Sequence, residues 1–230
     1  MEYLQNLDFS ILEKSWSYLF ITGMKFTISL TVVAALGGLF FGSILVVMRL
    51  SGNPFVAGTS KAIVNLIRTV PIVLGIFFFY FMMPYVGAWI TGSERPVQVG
   101  AVASAYVAFM VFEAAYFAEI MRAGVQSIST GQMNAGKALG LSYIQIMRLI
   151  LLPQAFRRML PAILTQTIVL FQDTSLVYVL SLTDFVGAAS KIAQRDNRMV
   201  EMYLFVAATY FIICFMCSTM VNKLKRKVAA

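Results

Sequence analysis

The sequence predicts an all-α integral membrane protein of about five transmembrane helices, with a helical hairpin in its long polar loop, the N-terminus outside and the C-terminus in the cytoplasm. Three observations predict it. Hydrophobic residues make up 60% of the 230 and charged residues only 12%, whereas soluble domains carry about 45–50% apolar and about 25% charged residues. Five apolar stretches are long enough to cross a hydrocarbon layer of about 30 Å. The basic residues gather in the short loops and the tail, as orientation of a membrane protein requires.

The spans follow in order. The first, about 20–48, is uncharged from Phe26 to Met48 with Lys25 at its entrance. Its Gly38 and Gly42 make a small-xxx-small face suited to close helix packing, a spacing that chance also produces in Gly-rich spans. The second, about 66–90, is expected to carry Pro71 in its first turn, where a missing amide costs little. The third, about 97–119, contains Glu113 and Glu119. The fourth, about 160–182, contains Asp173, and the fifth, about 202–222, ends in Lys223, Lys225, Arg226 and Lys227. Residues 1–230 read as a single transmembrane domain.

Orientation follows from charge. The tail, the loop with Arg49, Lys61 and Arg68, and the loop with Arg122, Lys137, Arg148, Arg157 and Arg158 hold twelve of the eighteen basic residues. All three fall on one side of a five-span chain, and the positive-inside rule makes that side cytoplasmic. The net charge of +8 is thereby explained without nucleic acid.

Several functions are disfavoured. The chain has no histidine, which removes imidazole bases and motifs such as H-E-x-x-H. Cys214 and Cys217 lie inside an apolar run and read as two small apolar-like residues on a membrane helix rather than a metal or redox pair. The opening MEYLQNLDFSILEKSW has three acids and one base and is not expected to be a cleaved signal peptide. No catalytic residue, metal site or cofactor is expected.

Polar groups within the spans are candidates for a substrate path, because such groups usually face a bundle interior or cavity. Glu113 is read either as a structural hydrogen-bonding group or as part of the path. Glu119, three residues before Arg122, is expected to pair with it. Gln166 with Asp173, and Thr165 with Gln172, are each seven apart and stack on neighbouring faces of one helix. This group is either interhelical polar glue or a path lining. Arg68 reads as an interface anchor, with attraction of an anionic substrate as the alternative.

The loop 122–158 holds two capping-box spacings, Ser129 with Gln132 and Ser142 with Gln145, each expected to start a short helix. Gly140 would stop the first. Ile144, Met147, Ile150 and Leu151 would form the apolar face of the second, which Pro153 would end. Such a hairpin suits a groove on a partner. Gly131–Lys137 also satisfies G-x-x-x-x-G-K, but Ala138 follows where a hydroxyl is needed and no strand precedes, so nucleotide binding is not expected.

The row GQMNAGKALGLSYIQIMRLILLP resembles the cytoplasmic coupling loop of ABC-importer permeases, whose pattern is Glu-Ala-Ala, three residues, Gly, nine residues, then Ile-x-Leu-Pro. Asn134, Ala135 and Gly136 take the first places, Gly140 the glycine, and Ile150, Leu152 and Pro153 the end. Asn134 departs from Glu and Gly136 from Ala. LIRTVPIVLGIFFFYF, AYFAEIMRAGVQSI, LPQAFRRMLPAI and QDTSLVYVLSLTDF also resemble the polar amino-acid permeases, so the likeness runs from Lys25 to the C-terminus. Among these the chain looks most similar to glutamate/aspartate import permeases. The resemblance implies a non-enzymatic subunit in a bacterial inner membrane. Its implied partners are a second, similar permease, two ATPase subunits and a periplasmic amino-acid-binding protein. Glutamine or another polar amino acid is the alternative substrate. An ion-coupled secondary transporter and an intramembrane enzyme are the rivals from other classes.

Overall fold

The structure is a computed structural model that describes residues 8–229, and only helices and turns occur among them. Helix α1 (Ser10–Ser17) continues through a π-helical segment (Tyr18–Met24) into α2 (Lys25–Arg49). Then come α3 (Pro54–Thr69), α4 (Ile72–Thr91), α5 (Ala101–Gln126) and α6 (Thr130–Ala138). Helix α7 (Tyr143–Ile146) passes through a second π segment (Met147–Leu151) into α8 (Leu152–Asp173) and a 3-10 turn (Thr174–Leu180). Helices α9 (Phe185–Asp196) and α10 (Met199–Ala229) complete the chain. Among the described residues five stretches are long and apolar enough to cross a membrane: Ser10–Arg49, Ile72–Thr91, Ala101–Gln126, Tyr143–Leu180 and Met199–Lys227. Many of their large apolar side chains are exposed, as a lipid-facing surface requires, with Phe40 64%, Trp89 84% and Phe211 67% exposed, while Phe109 and Phe117 are fully buried.

Local chemistry sets the boundaries. Asn53 caps α3 by accepting from the Phe55 amide at 2.9 Å, with Pro54 at the first helical position where no partner is lost. Asp184 caps α9, accepting from the Val186 and Gly187 amides at 3.0 Å each. Neither helix was anticipated, although Asn-Pro and an Asp before a helical pattern signal both. Pro71 precedes α4 as its cap residue rather than sitting in the first turn, because α3 ends at Thr69 and leaves the chain extended.

Pro153 does not end a helix, contrary to the sequence expectation. It lies at the second position of α8, and the helix runs on to Asp173. The π segment explains this. The Leu152 amide reaches back to the Met147 carbonyl, so the ladder has shifted by one residue where proline would otherwise collide with it. The buried face also differs from the expected one. Ile146 is fully buried whereas Ile144 is 67% exposed.

The chain forms two compact units. The first comprises residues 8–35, 71–109 and 169–217 among those described. Its core joins Leu19, Met24, Phe185, Ala188, Ile192 and Met202. Gly23 permits this packing, since a Cβ there would stand 2.9 Å from Ala188 Cβ and 3.0 Å from Phe185 Cα. The Phe185 amide donates to Thr27 Oγ1 at 3.0 Å.

The second unit comprises residues 36–70, 110–168 and 218–229. Gly38 and Gly42 do act as a packing face. A Cβ on Gly38 would lie 2.6 Å from Glu113 Cβ, and one on Gly42 would lie 2.9 Å from the Ala114 carbonyl oxygen. Ser60 donates to the Leu45 carbonyl at 2.7 Å, and Val64 packs with Ala115 and Ala118. Met159 fills the space above Gly124, 2.8 Å from where a Cβ would be.

Candidate functional site

Glu113 and Gln166 meet in the second unit. Glu113 is 1% exposed, made room for by the bare Cα of Gly38. Gln166 Nε2 donates to Glu113 Oε1 at 3.1 Å. A carboxylate only accepts, so this bond fixes the amide's orientation and leaves Gln166 a second N–H and its carbonyl oxygen. Thr165 is half-buried and its hydroxyl donates to the Pro161 carbonyl at 2.8 Å, one turn back along its own helix. Gln172 and Asp173 belong to the first unit. Gln172 is exposed and Asp173 half-buried. Asp173 ends α8, where the helix dipole disfavours an acid.

Glu119 pairs with Arg122 as expected from spacing. Arg122 Nε donates to Oε2 at 3.0 Å while Nη2 takes Oε1, a bidentate arrangement. The Arg68 guanidinium lies 5.5 Å over the Tyr116 ring, a cation–π contact that fits anchoring. Cys214 and Cys217 are free thiols, one buried and one exposed.

In the loop 122–158, Ser129 caps α6 by accepting from the Gly131 amide at 3.2 Å. Ser142 and Gln145 form the full capping box, with bonds of 3.3 and 2.8 Å. Gly140 adopts φ +74 between the two helices. Asn134 and Ala135 are exposed on α6 while Gly136 is buried. Gly131–Lys137 is helical and makes no phosphate-cradling loop. Leu139, Tyr143, Ile144 and Leu149 are 63–78% exposed, an apolar surface of the sort that marks a protein contact. Beside it, Ile150, Pro153 and Arg157 help line a notch of about 290 Å³.

Long apolar helices joined to an exposed apolar hairpin define a multi-pass membrane protein with a surface suited to a protein partner. The chain belongs to the binding-protein-dependent transport system inner membrane components, matching that family over residues 34–230. It is 47% identical over 226 residues, covering 98% of this chain and all of the relative, to the glutamate/aspartate import permease protein GltK of Escherichia coli O157:H7. It is 32% identical to the glutamine transport system permease protein GlnP of Escherichia coli K12, over 91% of this chain and 93% of the relative. Among solved structures it resembles an amino acid ABC transporter crystallised with histidines, with a TM-score of 0.84, 27% identity and coverage of 96% and 99%.

Proposed function

We propose that the chain is one of two permease subunits of an importer for acidic amino acids, glutamate and aspartate. The observation that carries this is the 47% identity to a glutamate/aspartate permease along that relative's entire length, against 32% to a glutamine permease. The chain acts as one transmembrane domain, paired with a second, similar permease, two ATPase subunits and a substrate-binding protein outside. The basic tail and the loop 122–158 lie in the cytoplasm and the N-terminus outside, which the charge distribution supports. The hairpin with Asn134, Ala135, Gly136, Gly140, Ile150, Leu152 and Pro153 seats on the ATPase, as its exposed apolar surface supports. Gln166 and Glu113, with Thr165, Gln172 and Asp173, contribute to the substrate path.

The test is uptake by the purified complex in vesicles at saturating binding protein. ATP-dependent accumulation of labelled glutamate and aspartate, well above glutamine, is expected. Preference for glutamine would replace the substrate assignment. Uptake that persists without ATP under a held membrane potential would refute the ATP-driven reading.

A further inference from the structure

A second polar site lies wholly within the first unit. A cavity of about 500 Å³ opens beside the π segment and the start of α2, and its polar lining is Thr22, Lys25, Ser29, Ser181 and Thr183. The rest of the wall is Ile21, Phe26, Val102 and Leu182. The volume is that of a small-molecule pocket, commonly about 300–1,000 Å³. Lys25 is exposed and makes no ion pair among the described residues. A second ammonium touches one lining residue, Lys191 Nζ donating to Thr183 Oγ1 at 2.5 Å. Among the described residues no carboxylate lines the cavity. The adjoining Asp184 is buried with its oxygens turned to the α9 amides.

The backbone is irregular on both sides of this cavity. The π segment ends at Met24, one residue before Lys25, and isolated π turns often accompany functional sites. Ser181 adopts φ 59, a left-handed conformation that a residue bearing a Cβ holds only when its surroundings impose it. Ser29 is in turn positioned by Tyr106, its hydroxyl 2.7 Å from the phenol.

We propose that this cavity is an entry site for dicarboxylic amino acids. Lys25 supplies the counter-charge to the side-chain carboxylate, and the hydroxyls of Thr22, Ser29, Ser181 and Thr183 supply hydrogen bonds. The inference deepens the acidic amino-acid reading and rests on it. It adds selection for a negative charge within the permease itself, apart from Glu113 and Gln166.

The experiment uses the complete complex in vesicles, with labelled glutamate, saturating binding protein and rates normalised to assembled complex. In a background lacking Cys214 and Cys217, Lys25→Cys is expected to lower the maximal rate roughly ten-fold or more, the scale of one lost charge-assisted hydrogen bond. Treatment with aminoethyl methanethiosulfonate, which restores an ammonium, is expected to recover at least half the parent rate. The sulfonatoethyl reagent, which adds a negative charge, is expected to recover none. Lys25→Arg, a second variant, should retain most of the rate. A normal maximal rate in Lys25→Cys overturns the proposal, as does recovery with both reagents or with neither. A change only in the binding-protein concentration needed would assign Lys25 to docking and overturn it too. If the parent imports no glutamate at all, the acidic amino-acid function itself fails and this inference falls with it.

Discussion

Gly136 packs against Ile146 so closely that a methyl group on the glycine would stand 2.7 Å from Ile146 Cγ1 and 3.0 Å from its Cδ1. Ile146 is fully buried and has little room to yield. The glycine therefore draws the two helices of the hairpin together where the similar coupling loops carry alanine. Gly136→Ala is expected to cost about 1–3 kcal/mol, the usual cost of overpacking. Loss of ATPase during purification would report it. Adding Ile146→Val should recover most of the loss, and failure to do so would place the clash elsewhere.

Gly140 is required for the opposite reason. Nothing lies within 4 Å of a Cβ there, but φ is +74. The constraint is conformational, at about 1–2 kcal/mol for an ordinary L-residue. Asparagine tolerates this region better than a β-branched residue does. Gly140→Asn should keep the ATPase bound while Gly140→Val releases it, at equal permease amounts in the membrane. Equal retention by the two variants would remove the positive φ as the determinant.

On α2, Gly37 and Gly38 differ in what faces them. The three atoms nearest a Cβ on Gly37 all belong to the Met110 side chain, whereas one on Gly38 meets Glu113 Cβ at 2.6 Å and its backbone carbon at 3.1 Å. A methionine side chain can turn away, but a helix backbone cannot. Gly38→Ala is expected to lower the melting temperature of the purified protein clearly, and Gly37→Ala to leave it within about 2 °C, less than roughly 1 kcal/mol for a chain of this size. The reverse order would contradict the packing.

Much of this was legible in the sequence, for identifiable reasons. The five apolar stretches were visible because backbone groups in lipid must bond within their own segment, which forces long uncharged helices. The Ser142–Gln145 box and Gly140 were visible because capping and positive φ demand particular residue types. The π segments carry no such residue signal, so the continuation of helix through Pro153 was not anticipated. Gly136 stood in the sequence as a departure from a pattern, and only the position of Ile146 supplies its cause. Glu113 and Gln166 were each singled out, but their 3.1 Å bond joins residues 53 apart in the chain, which helical spacing cannot reveal. The Lys25 cavity was missed because its walls come from three separated stretches.

Topology makes a separate prediction. Single cysteines replacing Lys137 or Lys223, in a variant without Cys214 and Cys217, should resist an impermeant thiol reagent in intact cells. Cysteines replacing Lys14 or Lys191 should react. Labelling at position 137 from outside would invert the orientation inferred from charge.

Asp184 predicts a pH effect. Burial pushes its carboxyl up to about 6 from 3.8, although the amides of Gly187 and Val186 and the charge of Lys191 pull the other way. A raised folded-state value means the protonated form favours the fold. That contribution is complete below about 3.8 and is lost as pH rises through about 6. Stability of α9 should therefore increase on acidification from pH 7.5 to pH 5, by on the order of 1 kcal/mol per pH unit below 6. Asp184→Asn keeps one acceptor at the cap and removes the charge. Hydrogen exchange of the α9 amides should show the pH trend in the parent and not in the variant. The same trend in both would locate the titration elsewhere.

The bond between Gln166 and Glu113 bears on what the pair does. Gln166→Glu would set two carboxylates about 3 Å apart, which strongly disfavours ionisation of both. Reduced uptake in that variant alone would therefore not separate a path-lining role from a structural one. The exchange of the two residues does. Glu113→Gln with Gln166→Glu rebuilds one amide–carboxylate bond with its polarity reversed, so a purely structural pair should regain parent rates. A path-lining pair should not, because a carboxylate now stands where the amide met an anionic substrate, and the repulsion is stronger there than in water. We expect glutamate uptake by the exchanged variant to remain at least roughly ten-fold below the parent, a difference of about 1.4 kcal/mol. ATPase retention should be normal. Recovery of the parent rate would move both residues out of the path and leave them as the contact that holds α5 to α8.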